Sequence, residues 1–159
     1  MSDILNAVSG PYGERMSDSV GSASVIEVGD AVIATAATGV PYAAKDETWS
    51  VDLATTQENA HDKFLGIALQ RSRSGDTDPI RVATTGVFVF DCAAATFKIG
   101  DLVGLAKQTG NALENKKVVA VATANLAIGR VAKDYNSNTT KVEVQVMGTL
   151  QTGGAYAPA

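Results

Sequence analysis

The feature that most constrains this chain is an internal repeat. Val28-Gly29-Asp30-Ala31-Val32 returns as Ile99-Gly100-Asp101-Leu102-Val103, 71 residues later, and Thr38-Gly39 returns as Thr109-Gly110 at the same offset. Leu65-Gly66-Ile67-Ala68 is echoed by Ile128-Gly129-Arg130-Val131-Ala132 at an offset of 63. Ile80-Arg81-Val82 through Gly86 is echoed by Val142-Glu143-Val144 through Gly148 at 62. Four landmarks recur in one order, so the body is expected to contain two equivalent structural units. The fall in offset from 71 to 63 places an insertion in the first copy, around Lys45–Lys63.

The texture between the landmarks is that of short strands. Val142, Val144 and Val146 alternate with Lys141, Glu143 and Gln145, a period of two that puts one face in a core and one in water. Ile80-Arg81-Val82-Ala83-Thr84 alternates in the same way. Val87-Phe88-Val89-Phe90 and Val118-Val119-Ala120-Val121 are β-branched apolar runs that read as buried strands. Turn signals separate them, among them Gly29-Asp30, Ser74-Gly75-Asp76 and Gly100-Asp101. No long stretch keeps a helical period. The fold class expected is all-β, a compact barrel or barrel-like sandwich built from two duplicated halves. A half of roughly 60 residues buries too little surface to be comfortable alone, so the copies are expected to share one core.

The domain reading is an N-terminal arm over 1–24, a β-body over 25–150 and a flexible tail over 151–159, with repeat 1 at 25–90 and repeat 2 at 96–150. In the arm, Ile4 and Val8 fall on one face of a short helical stretch ended by Gly10-Pro11. Such a stretch is too short to stand alone in water, so Ile4, Leu5, Val8, Pro11 and Tyr12 need a surface to dock on. The insertion carries the chain's one Trp, Trp49, and its one His, His61. A long loop on a rigid body is a common place for binding residues.

Composition then excludes function classes. Thirteen Lys and Arg against seventeen Asp and Glu give a net charge of −4, the wrong sign for bulk binding to phosphate backbones. One Cys and one His leave no material for a disulfide framework or a Cys/His zinc cluster. Cys92 reads as a small buried hydrophobe, which suits a reducing cytoplasm. His61, in the polar run Glu58-Asn59-Ala60-His61-Asp62-Lys63, reads as solvated rather than catalytic. There is no Gly-x-Ser-x-Gly elbow and no phosphate-cradling glycine motif. Asp30 and Asp101 read as Asx-type turn residues bonding the next backbone N–H, with Gly29, Gly66, Gly100 and Gly129 marking the structural turns and strand places of the two copies. No segment reaches the ~20 apolar residues a membrane helix needs, and the N-terminus lacks the features of a secretory signal. The expectation is a protein with no catalytic set, no cofactor, no metal, no membrane association and no direct nucleic-acid contact.

The pattern Val28-Gly29-Asp30-x-Val32, Phe64-Leu65-Gly66-Ile67-Ala68, Ile80-Arg81-Val82-Ala83-Thr84-Thr85-Gly86-Val87, Ile99-Gly100-Asp101-Leu102-Val103, Ala127-Ile128-Gly129-Arg130-Val131-Ala132 and Val142-Glu143-Val144-Gln145-Val146 resembles small head proteins of tailed bacteriophages. The family it is most similar to is the DUF2190-like group of capsid decoration, or cement, proteins. The resemblance covers residues 25–150. It implies a compact β-barrel that clusters as a homotrimer on the outer surface of the capsid, with the major capsid protein as partner and head stabilisation as function. Assembly would take place in the host cytoplasm. On this reading Ile4, Leu5, Val8, Pro11, Tyr12 and Trp49 form the capsid or subunit interface, and several weak arms in one oligomer act together as one strong ligand.

Two other readings stay open at this stage. Tyr42 and Trp49 with the nearby carboxylates would make a β-sandwich module that binds carbohydrate or another ligand. A pair of carboxylates within about 10 Å would make a hydrolase.

Overall fold

The computed structural model describes residues 14–35, 39–46, 52–108, 110 and 112–148. Ten strands and one helix follow one another: β1 (Glu14–Met16), β2 (Ala31–Ala34), β3 (Pro41–Ala43), α1 (Leu53–Lys63), β4 (Phe64–Ala68), β5 (Arg81–Ala83), β6 (Thr85–Phe97), β7 (Leu102–Lys107), β8 (Leu113–Ala120), β9 (Gly129–Val131) and β10 (Tyr135–Met147). β1–β5 form a five-stranded sheet in the order β1-β5-β4-β2-β3. β6–β10 form a closed barrel in the order β6-β10-β9-β7-β8, with β8 returning to β6. The all-β, barrel-like class expected from the sequence is what the chain adopts.

The duplication holds at the level of hydrogen bonds. Gly29 N–H donates to Ala68 O and Gly100 N–H to Val131 O, both at 2.8 Å. Asp30 Oδ2 accepts from Glu27 N–H and Asp101 Oδ2 from Lys98 N–H, both at 2.8 Å. Both aspartates are turn residues, but each carboxylate reaches back to the N–H three residues before it rather than forward to the next one, and the glycine ahead of it sits at φ +91° or +89°, a region open to glycine at little cost. β2 meets β4 through Val32 and Gly66, and β7 meets β9 through Val103 and Gly129, the same pair in each copy. A Cβ on Gly66 would overlap the carbonyl oxygen of Ala83, and one on Gly129 that of Gln145. Those two carbonyls are themselves repeat equivalents, so close backbone approach explains why both strands carry glycine there.

The repeat extends further towards the N-terminus than the sequence suggests. β1 pairs with β5 through Arg15↔Val82, and β6 pairs with β10 through Phe88↔Val144. β1 is therefore the first-copy counterpart of β6. Residues 14–24, assigned above to an arm, supply this strand and the fully buried Val20. The first copy thus begins at β1 rather than at residue 25. The proposed arm residues Ile4, Leu5, Val8, Pro11 and Tyr12, the tail 151–159 and Trp49 lie outside the described residues.

The copies differ in closure. In the second, the 13-residue β6 runs parallel to β8 through Asp91↔Lys117 and Cys92↔Val118, which seals the barrel. In the first, β1 and β3 have three residues each, and among the described residues no ladder joins them. The chain does not close into one common barrel; each copy builds its own sheet. They still share a core, because Ala31, Ile33, Phe64 and Ile67 from the first sheet join Phe90, Leu105, Val118 and Val144 in one cluster. A second cluster, with Ile26, Val32, Ile80 and Val82, belongs to the first copy alone.

The insertion is helical where the sequence suggested a loop. Asp52 caps α1, accepting from Thr55 N–H at 2.8 Å. The helix lacks an apolar stripe; Thr56, Gln57, Ala60 and His61 are its buried residues. Gln57 Nε2 donates to Leu105 O at 2.8 Å, and His61 Nδ1 lies 2.6 Å from Ala127 O. His61, expected to be solvated, is only 3% exposed. Polar side chains that satisfy backbone carbonyls take the place of apolar packing here, and a hydrophobic period does not register them.

Candidate protein-interaction surface

The outer wall of the closed barrel carries a strip that the sequence reading took for core. Along β6, Phe88 and Phe90 turn inward, and Val87, Val89, Asp91 and Ala93 turn outward. Val87 is 45% and Val89 64% exposed. On β8, Val118 is buried beside Cys92 and its neighbour Val119 is 40% exposed. The run Val87–Phe90 is thus one-faced rather than fully buried, and of Val118–Val121 only Val118 is buried. The seam joins β6 to β8 in parallel and sets Asp91 level with Lys117, so on this wall Val87 and Val89 lie to one side of the charged level and Val119 to the other.

Charge is arranged across the strip's middle. Lys141 Nζ donates to Asp91 Oδ1 at 2.6 Å across the β6–β10 pair, which matches these two residues in register. That hydrogen bond, with the charges of Lys141, Lys117 and Lys116, holds the Asp91 carboxyl below its ordinary value. Next along β10, Glu143 pairs with Lys133 at 2.9 Å, and Lys133 lies 5.3 Å above the Tyr135 ring. The Glu143 contact pushes the Lys133 ammonium above its ordinary value. Exposed valines on either side of an ion pair on one wall give the mixed apolar and polar makeup of a protein contact surface.

The residues singled out from sequence sit elsewhere. Gly29, Asp30, Gly100 and Asp101 form the two turns, and Gly66 and Gly129 the two close strand crossings. Tyr42, half-buried, packs its ring over Gly21. Cys92 is buried, donates to Thr139 O at 3.5 Å, and has its thiol pushed up by burial and by Asp91. Among the described residues, no three His, Cys, Asp or Glu side chains gather as a metal site.

A signal for the strip was present in the sequence. Val87 and Val89 share parity with Asp91, and an aspartate in a strand marks the wet face; the matching residues of β10, Lys141, Glu143 and Gln145, say the same. No protein-family model and no curated protein matches this chain.

Proposed function

We propose that the protein is a structural virion protein, a decoration or cement protein that binds the outer surface of a tailed-phage capsid as an oligomer and stabilises the lattice of the major capsid protein. The observation that carries this reading is the Val87/Val89/Val119 strip on the rigid barrel wall, three large apolar side chains held in water. Together with the glycine-anchored repeat that resembles cement proteins, it supports adhesion rather than turnover. A homotrimer is the expected form, because several modest contacts on one lattice reinforce one another. The test is calorimetry of capsids with and without the full chain. Saturating protein raises the temperature at which the capsid lattice melts; an unchanged transition overturns the reading.

A further inference from the structure

Residues from all five strands of the first sheet line a cleft of about 340 Å³. The second copy shows why it is open. Ser17 donates its N–H to Ile80 O, and its counterpart Phe90 pairs with Val142. Ala34 pairs with Pro41 where Leu105 pairs with Val118. Thr84, also on the lining, stands at the repeat position of Val146. Phe90, Leu105 and Val146 are buried in the core of the closed barrel. Serine, alanine and threonine at the same three places leave the first copy short of one aromatic and two aliphatic side chains. Leu65 and Val82 give the cleft an apolar surface.

The same cleft carries two opposite charges, Arg15 and Asp18, both exposed. Arg15 pairs with Val82 as Phe88 pairs with Val144, so a cation takes the place of another aromatic residue. At that spacing Asp18 is the counterpart of Asp91, which pairs with Lys141. The residue matching Lys141 in the first copy is Pro79, which offers no charge. Among the described residues neither Arg15 nor Asp18 forms an ion pair, with the other or with a third group. Asp18 Oδ1 accepts from the N–H of its neighbour Ser19 at 2.8 Å. A cation and an anion three residues apart thus share one apolar cleft without neutralising each other.

We propose that the cleft is a binding site for a free α-amino acid with a large apolar side chain. Arg15 takes the carboxylate and Asp18 the ammonium, each through a charge-assisted hydrogen bond. The ligand's side chain replaces water against Leu65 and Val82 and supplies the bulk that Phe90 and Leu105 give the other copy. The volume lies at the small end of ligand sites, which suits a molecule of this size.

The inference stands apart from the capsid reading and is tested on the 159-residue chain without capsids. L-Phenylalanine, 3-phenylpropanoate and phenethylamine share one ring and differ in their charged groups. Each is titrated while backbone amide NMR shifts are followed. Phenylalanine is expected to half-saturate one site per chain below about 1 mM, with shifts centred on Leu65 and Val82. The other two, each lacking one charge, bind roughly tenfold more weakly. No saturation, shifts centred elsewhere, or equal affinity for either analogue overturns the proposal. Two variants assign the charges. Arg15→Gln weakens phenylalanine and leaves phenethylamine unchanged; Asp18→Asn weakens phenylalanine and leaves 3-phenylpropanoate unchanged. Ala34→Leu, which restores the bulk of Leu105, abolishes phenylalanine binding. Thermal melting confirms that each variant is folded, and a folded variant that keeps wild-type affinity for phenylalanine overturns the assignment.

Discussion

Asp30 in the first repeat accepts a hydrogen bond from Asn115 in the second, Nδ2 to Oδ2 at 3.2 Å, and so fastens one copy to the other. The same carboxylate oxygen closes its own turn on Glu27 N–H, and Oδ1 faces Lys116 Nζ at 3.5 Å. Asn115 continues the link, its Oδ1 accepting from Lys45 N–H at 2.8 Å. Asp101 makes the equivalent turn but is half-exposed. Asp30→Ala is therefore expected to cost about 2–3 kcal/mol, the loss of hydrogen bonds to a buried charged group with their partners stranded. Asp101→Ala is expected to cost less than half as much. Urea unfolding of both variants checks this; equal losses would show that Asp30 acts as a turn residue alone.

Gly129→Ala is expected to be among the most damaging single-methyl changes in the barrel. The added Cβ meets the Gln145 carbonyl and the Val144 side chain at a backbone crossing that cannot open without parting β9 from β10. Overpacking of this kind costs roughly 1–3 kcal/mol or more. Gly110→Ala, where a Cβ meets open space, serves as the control at a turn with positive φ. Amide exchange of β9 and β10 is the readout, with faster exchange expected for Gly129→Ala.

Asp52→Ala is expected to lower the melting temperature in a pH-dependent way. The Thr55 N–H holds the Asp52 carboxyl below its ordinary value of 3.8. A depressed folded-state pKa means the cap contributes fully above that ordinary value and is lost as pH falls through the folded-state pKa. The gap between wild type and Asp52→Ala is thus open at neutral pH and closes in acid. A gap independent of pH would place the helix's stability in its Gln57 and His61 contacts instead.

What the sequence disclosed and what it concealed follow from the same physics. The glycine and aspartate landmarks were legible because backbone crossings and tight turns admit few residue types, and their offsets map onto the observed ladders. β10 was legible because Lys141, Glu143 and Gln145 mark its wet face. β6 misled, because valine stands at its exposed positions and phenylalanine at its buried ones, and hydrophobicity does not separate them. β1 was concealed, since Glu14-Arg15-Met16 has neither alternation nor β-branched residues. α1 was concealed because Gln57 and His61 anchor it through hydrogen bonds; its one local signal was Asp52 ahead of Leu53, an N-cap. The six proposed interface residues fall outside the described residues; the outward valines of β6 were marked only by their shared parity with Asp91, a signal their hydrophobicity outweighed.

Val89→Asp is expected to leave the fold intact and abolish adhesion. The side chain already stands in water, so circular dichroism and melting should match the wild type. A charge at the centre of an apolar contact weakens binding by roughly tenfold or more. Val28→Asp, exposed at the Gly29-Asp30 turn of the first copy rather than on β6 or β8, is the matched control and should bind as the wild type does.

The most direct measurement of the proposed function is co-sedimentation of the 159-residue chain with mature tailed-phage capsids. Saturable binding at a fixed ratio to the major capsid protein, lost in Val89→Asp and kept in Val28→Asp, is the predicted result. A chain that stays in the supernatant at every concentration would contradict the account.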